Sequence, residues 1–214
     1  MKQLTLLVVA IFLTTRVVSQ EVKTSDEKVS FSQGTVDAVV VTIPYASKDV
    51  VEKGLKSEMK DWGGKYSNSK DEYSSKQAKM KAMGDKYFDG YAKIIESGSD
   101  NIKVAFAVDL GGVYLNSDNY PDQYKVIEDR AKKFGQTASK ESVNGMIDVE
   151  TKTLKKLNGE KEDLQKDIES YKKKISEAEQ KIKGDESAIQ KKEGEIEAQS
   201  KKLEEVQGLL KKIK

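Results

Sequence analysis

The chain has 214 residues, of which 36% are hydrophobic and 35% are charged, with 38 Lys and Arg against 36 Asp and Glu. Soluble domains usually contain nearly half apolar residues and about a quarter charged ones, so one compact globule of this length is not expected. The sequence contains no Cys and no His, which excludes disulfides, thiol nucleophiles, imidazole acid–base catalysis and zinc sites built from those ligands.

The first nineteen residues have the pattern of a secretory signal peptide. Lys2 supplies positive charge, an apolar run of ten residues extends from Leu4 to Leu13, and Ser19 offers a small residue at the expected cut. The run is too short for a membrane span, which needs about twenty residues. Arg16 is unusual so close to a cleavage site, and an uncleaved anchor is the alternative. No Cys follows the run, which excludes a bacterial lipoprotein anchor.

The charge balance argues against nucleic acid as a partner. Removing a signal peptide that contains Lys2 and Arg16 lowers the number of basic side chains to 36, which equals the number of acidic ones. A nucleic-acid-binding protein needs a surplus of cations to neutralise phosphates. Nucleic acid is therefore not an expected partner. The signal peptide in turn predicts an exported protein, in the periplasm or outside the cell. Its Lys-rich, Cys-free composition and short signal favour a bacterial source.

A change in composition divides the mature chain. Residues 21–139 contain both Pro, the only Trp and eight of the nine Tyr, whereas residues 140–214 contain no Pro, Trp or Phe. The predicted organisation is a signal peptide over 1–19, a flexible leader over 20–35, a sheet domain over 36–139 and a coiled-coil helix over 140–214. The leader is predicted because its start is polar and highly charged.

The sheet domain begins with a strand and a helix. Residues 36–43 form a short segment rich in β-branched side chains, as is typical of a strand, and Pro44 is expected to end this strand. Ser47 is a suitable N-cap for a helix that continues to about Trp62, where two glycines stop it. Residues 65–86 are ambiguous, although alternation at Ala78, Met80 and Ala82 suggests a half-buried strand there.

The next segments predict a hairpin and a second helix. Strands over 88–96 and 102–110 flank a turn at 97–100, and Gly111-Gly112 permits a bend before a short strand at 113–115. Pro121 and Asp122 suit the first turn of a helix. Its expected buried face consists of Tyr124, Ile127, Ala131 and Phe134. The order β-α-β-β-β-α predicts an α+β fold with a small antiparallel sheet and helices on one face.

From Ile147 onward, aliphatic residues recur at spacings of three and four, which is the heptad pattern of a coiled coil. Nine of the ten a positions are aliphatic, whereas the d positions are polar from Asp185 to Gln199. We call this stripe the seam. Its expected members are Ile147, Leu154, Leu157, Leu164, Ile168, Tyr171, Ile175, Ile182, Ile189, Ile196, Leu203, Val206, Leu210 and Ile213.

The length of the tail determines what the seam can contact. One helix over 140–213 would be about 110 Å long, whereas a domain of about 120 residues has a radius of gyration of about 14 Å. Such a domain cannot cover the seam, which therefore meets another chain, folds back on itself or stays partly exposed. A heptad repeat sustained this long predicts a left-handed supercoil against a partner helix.

The charge pattern favours a parallel homo-oligomer. In a parallel pair, each g residue faces the e residue five positions later in the partner. Three successive attractive pairs result: Asp167 with Lys172, Lys174 with Glu179, and Lys181 with Glu186. Against this arrangement, Asp185 and Lys192 occupy d positions, where each would face its own copy at a cost in stability.

Two alternatives stay open. A helical hairpin at Gly184-Asp185 is suggested by a basic last turn, a glycine and an aspartate N-cap, although a turn has no reason to preserve the heptad phase. A lone solvated helix is suggested by Glu-to-Lys pairs at i,i+4, which stabilise a helix but do not account for a repeating Ile stripe.

Signals for chemistry are weak, so the predicted function is structural and not enzymatic, with no cofactor or metal. Gly111-Gly112 is an isolated doublet without a phosphate-loop motif, and Asp109 reads as a solvent-facing strand residue. The remaining candidates form a ligand or docking surface on the sheet: Tyr87, Tyr91, Phe106, Tyr114 and Tyr120. Core packing of these aromatics is the alternative. A ligand-binding module for a lipid, peptide or glycan, dimerised by its coil, is therefore the second functional hypothesis.

Overall fold

The structure is a computed structural model that describes residues 21–98 and 100–210. Contacts divide the chain into two compact units, Met1–Val149 and Glu150–Lys214. The described part contains a six-stranded antiparallel sheet followed by one long C-terminal helix, which confirms the predicted α+β class. The expected signal peptide and Ile213 lie outside the described residues.

Six strands and two helices make up the described part of the chain. The strands are β1 Lys23–Phe31, β2 Gly34–Pro44, β3 Lys65–Ser69, β4 Glu72–Ala78, β5 Phe88–Ser97 and β6 Asn101–Asp109. The helices are α1 Lys48–Asp61 and α2 Pro121–Leu210, and a short 3-10 turn lies at Lys81–Met83.

The sheet has the order β1-β2-β6-β5-β4-β3. All five neighbouring pairs are antiparallel. The two most apolar strands, β2 and β6, pair at the centre, with Val41 opposite Val104 and Val39 opposite Phe106. This placement buries the β-branched runs on both faces, while the polar strands β1 and β3 form the edges.

Three local predictions are confirmed. β2 includes the predicted strand 36–43, and β5 and β6 form the predicted hairpin. Ser47 is the N-cap of α1, since its side chain accepts a hydrogen bond from Val50 N at 3.4 Å. α2 begins at Pro121, as predicted from the fixed φ of proline and the adjacent acidic Asp122.

Three other predictions need correction. The segment 20–35, predicted to be a flexible leader, contains β1, whose nine residues all pair with β2. The ambiguous segment 65–86 contains two strands, and the alternation at 78–82 marks the end of β4 and the 3-10 turn instead of a separate strand. The helix predicted to begin at 140 is the same helix that begins at Pro121, and the compact units divide at 149/150.

Both helices pack on one face of the sheet. Phe106, on the central strand β6, lies between them, with its ring centroid 6.1 Å from Trp62 and 5.5 Å from Phe134. The apolar face of α1 is fully buried at Val51, Leu55 and Met59. On α2, the buried residues facing the sheet are Ile127, Ala131, Phe134 and Ala138. This cluster is the main hydrophobic core, and burial of its aromatics provides much of its stabilisation.

Two serines and a glycine place α2 on the sheet. Ser139 Oγ donates to Pro44 O at 2.8 Å, and Ser142 Oγ accepts from Ser47 N at 2.9 Å. At Gly135, an added Cβ would lie 2.7 Å from Val22 Cγ1, so the absence of a side chain lets the helix approach the strands closely. The helix is therefore held by both hydrogen bonds and a steric fit.

The opposite face of the sheet carries a second, smaller cluster. Val40, Ala105 and Ala107 form its floor, and the Phe31 and Tyr91 rings lie 6.3 Å apart within it. No described helix belongs to this cluster. The tip of the β1–β2 hairpin reaches β4 instead, as shown by Ser32 N, which donates to Glu72 Oε2 at 2.9 Å. The sheet therefore curls over this face.

Candidate interaction surfaces

The seam of α2 is exposed along the described chain. Every seam residue from Ile147 to Val206 exposes between 52% and 64% of its surface. The helical residues beyond Val149 are nearly all exposed, which is expected when a helix presents an aliphatic stripe without a covering element from its own chain. Leu210 ends the described helix, and nothing is assigned to its side chain.

The helix is continuous through Gly184 and Asp185, so the predicted alternative of a helical hairpin at this point is wrong. The heptad phase is preserved through these residues, as a single helix requires. Ion pairs in the helix beyond Val149 are solvent-exposed; for example, Lys201 Nζ lies 2.9 Å from Glu197 Oε1. Such pairs contribute little each, and they leave the exposed Ile stripe unexplained.

Within the first unit, the seam begins on the side of α2 that faces away from the sheet. At 100° per residue, the sheet-facing residues and the first heptad positions are centred about 170° apart around the helix axis. The sheet-facing residues are Ile127, Ala131, Phe134 and Ala138, and the heptad positions are Ile147, which begins the seam, and Val143, the d position before it. The sheet therefore does not occupy the side on which a second helix would lie.

The five aromatics expected to form a ligand or docking surface do not share one surface. Phe106 is buried in the main core, whereas Tyr91 is buried in the cluster on the opposite face. Tyr87 is 66% exposed. Tyr120 is half-buried against the main core, and Tyr114 is half-buried against the second cluster. The alternative of core packing therefore describes most of these side chains.

A polar groove of about 500 Å³ lies beside the second cluster. Its lining combines lysines with hydroxyls: Ser32, Ser67, Ser74, Lys70, Lys76 and Lys93 are among its residues. Lys76 Nζ donates to Asp89 Oδ2 at 3.0 Å and to Tyr91 OH, and Lys93 Nζ donates to Ser30 O. Lys76 therefore links the paired strands β4 and β5, whereas Lys93 links β5 to β1 across the curled face.

The electrostatics of the groove follow from these contacts. Burial of the Lys76 ammonium lowers its pKa, but the hydrogen bonds to Tyr91 and Asp89 outweigh burial and raise it overall. The lysine is consequently a permanent cation at neutral pH. It balances the Asp89 carboxylate, which also accepts from Gln77 N at 2.8 Å.

A second groove, of about 700 Å³, runs between α1 and residues 129–141 of α2. Glu58 links the two helices, because its Oε1 accepts from Trp62 Nε1 at 2.9 Å and from Arg130 Nε at 2.8 Å. Other charged residues of both signs line the rim, including Lys53, Lys133, Asp61 and Asp129. The mixed signs give this groove no preference for an anionic or a cationic partner.

The Asp109 carboxylate has a structural contact. Asp109 Oδ1 accepts from Gly111 N at 2.9 Å and from Gly112 N at 2.6 Å, which holds the bend after β6. Within residues 21–98 and 100–210, no group of three or more acidic residues could hold a metal ion. Every buried side-chain nitrogen or oxygen of that same part has a hydrogen-bond partner.

Sequence reasoning missed the residues that position the long helix. Ser139 and Ser142 look like ordinary polar helix residues, and Gly135 looks like one more glycine in a helix that contains several. A detectable signal existed for Glu58, which precedes Trp62 by one helical turn and can therefore accept from its indole. The partner Arg130 is 72 residues away and had no local signal.

No protein-family model, curated protein or solved structure matches the chain. In the described part, none of the helices combines the length and apolar character that a membrane crossing requires.

Proposed function

We propose that this is an exported, non-enzymatic structural or interaction protein of the bacterial cell envelope, in which a coiled coil pairs chains and presents a small α+β docking domain. The supporting observation is the seam: a continuous helix with an Ile at every seventh residue from Ile168 to Ile196, each more than half exposed in the single chain. Such a stripe is stabilised only by contact with another helix.

The partner that best fits the seam is a second copy of the chain, aligned in parallel. The three g-to-e pairs are mutually attractive in that alignment and in register. The sheet also leaves Ile147, the first seam residue, and the preceding d residue Val143 on the opposite side of α2, where a second helix has access. The absence of Cys and His from the sequence and the balanced charge support a binding role without catalysis or nucleic acid.

The test introduces charge into two layers of the seam by the double substitution Ile175→Asp and Ile182→Asp. Burying an Ile stabilises by about 1.5–3 kcal/mol, and these side chains are nearly 60% exposed, so each has about 1–2 kcal/mol left to gain. Over four side chains in a dimer, the loss is about 4–7 kcal/mol, which weakens association about a thousandfold or more.

The protein is measured by light scattering after size exclusion. We expect a multimer for the unmodified chain and a monomer for the double variant. The matched control is Ser176→Asp with Gln180→Asp, which adds the same charges to the same turns at positions away from the seam and should leave the mass unchanged. An unmodified chain that is already monomeric, or a double variant with an unchanged mass, would contradict the proposal.

The second candidate is a ligand-binding module dimerised by its coil. The groove beside the second cluster favours it, since lysines and serine hydroxyls line about 500 Å³ on the helix-free face. Native mass spectrometry of the protein after gentle extraction should then show an added small-molecule mass, and Lys93→Ala should reduce its occupancy. Finding only the bare chain mass would count against this candidate.

A further inference from the structure

Residues 143–199 of α2, which carry most of the seam, form two sections with different chemistry. In the first section, residues 143–178, nine of the eleven a and d positions are apolar, the exceptions being Glu150 and Lys161. In the second section, residues 182–199, three of the six positions are polar: Asp185, Lys192 and Gln199. The exposed aliphatic stripe is therefore two residues wide in the first section and one residue wide in the second.

The first section has the composition of a two-stranded coil. Ile at a, as at Ile168 and Ile175, combined with Leu at d, as at Leu157 and Leu164, favours two strands over three. A single lysine at a, Lys161, is a feature that sets register and strand number. All of these side chains are exposed in the single chain and so are available for contact.

The second section cannot close in the same way against an identical partner. In a parallel pair in register, Asp185 faces a second Asp185 and Lys192 faces a second Lys192. Each like-charged layer lies between two Ile layers, so closing the helices would remove both charges from water without pairing them. The Ile side chains of this section therefore gain contact only at the cost of burying these repelling groups. One attractive pair, Lys181 with Glu186, falls at the start of this section, but an exposed pair contributes little and does not offset this cost.

We infer that a second copy closes the seam as a parallel, in-register, two-stranded coil over residues 143–178, and that residues 182–199 stay open in that dimer. This inference depends on the self-association proposed above and adds the strand number, the alignment and the closed section. Ile182, Ile189 and Ile196 then keep an exposed ridge within the assembled dimer.

The experiment uses single cysteines in a chain that has none. Ile168→Cys and Ile189→Cys place the same change at the same heptad position in the two sections, at residues 52% and 57% exposed. Under mild oxidation of the dimer, we expect Ile168→Cys to form a disulfide-linked dimer at least tenfold faster than Ile189→Cys. Adding Asp185→Leu and Lys192→Leu to Ile189→Cys should raise its rate to that of Ile168→Cys.

The outcomes distinguish failure of this inference from failure of the proposed function. Light scattering is measured first, and a monomer overturns both. A trimer, or a dimer in which neither cysteine forms a cross-link, overturns the strand number or the alignment while self-association stands. A dimer in which both cysteines cross-link at equal rates overturns the division into a closed and an open section.

Discussion

Gly135 lies where α2 crosses the sheet, and replacing it with alanine should destabilise the domain although alanine is the better helix former. An added Cβ would lie 2.7 Å from Val22 Cγ1, 3.0 Å from Val41 Cγ2 and 3.4 Å from Ile43 Cγ1. Val41 and Ile43 are fully buried on β2, which is hydrogen-bonded on both sides, so they cannot move away. Either Val22 or the helix itself must therefore shift.

The magnitude follows from two opposing terms. Alanine is favoured over glycine in a helix by about 1 kcal/mol, whereas overpacking a well-filled core costs about 1–3 kcal/mol. For Gly135→Ala we therefore expect a net loss of up to about 2 kcal/mol. The control is Gly145→Ala on the same helix, where nothing lies within 4 Å of the added Cβ and only the favourable term remains.

The assay is urea unfolding followed by the fluorescence of Trp62, the single tryptophan, which is buried in the main core and reports on this domain. Gly135→Ala should unfold at lower urea than the unmodified protein, and Gly145→Ala at equal or higher urea. The reasoning is refuted if Gly135→Ala stabilises the domain as much as Gly145→Ala does, since the close approach of helix and strand would then cost nothing.

Two further predictions concern the contacts of α2. Burial raises the pKa of Tyr124 to about 12, with repulsion by Asp26 and Glu128 adding to the shift. Because the folded pKa lies above the ordinary value of 10, this contribution to stability is present below about pH 10 and is lost as the pH rises towards 12. The Tm of Tyr124→Phe should therefore fall less between pH 9 and 11.5 than the Tm of the unmodified protein. An equal fall in both proteins would count against the raised pKa of Tyr124. Ser142→Ala leaves Ser47 N without its acceptor and should lower the free energy of unfolding by about 1 kcal/mol. Ser142→Thr is the control, because it keeps a hydroxyl. An unchanged Tm for the alanine variant would mean that water replaces the contact.

Local patterns predicted the elements whose signals are contiguous in the chain. The β-branched run of β2, the N-cap Ser47 and the alternation of β6 each express a preference of a few neighbouring residues. β1 was missed because its exposed, charged residues at 23–28 look unstructured; its stability as a strand comes from pairing with β2. β3 and β4 were missed for the same reason, since their lysines and serines have no strand preference of their own.

The candidate surfaces divide in the same way. The seam was predictable because a heptad repeat depends only on the spacing of residues along one helix. The exposure of its Ile residues follows because the stripe is longer than the sheet domain can cover. The aromatic surface was not predictable, because Tyr91 and Phe106 belong to neighbouring strands whose register sends them to opposite faces. An aromatic residue type alone does not predict which face of the sheet the side chain occupies, because the strand register determines the face.

The sequence alone thus determined the class of fold, the existence of the long helix and the aliphatic stripe along it, since each follows from short-range periodicity. Only the tertiary structure decided the strand order, the place of β1 at the sheet edge and the fit of Gly135 against Val41. These features depend on contacts between residues far apart in the chain, such as Glu58 with Arg130, for which a single sequence contains no local signal.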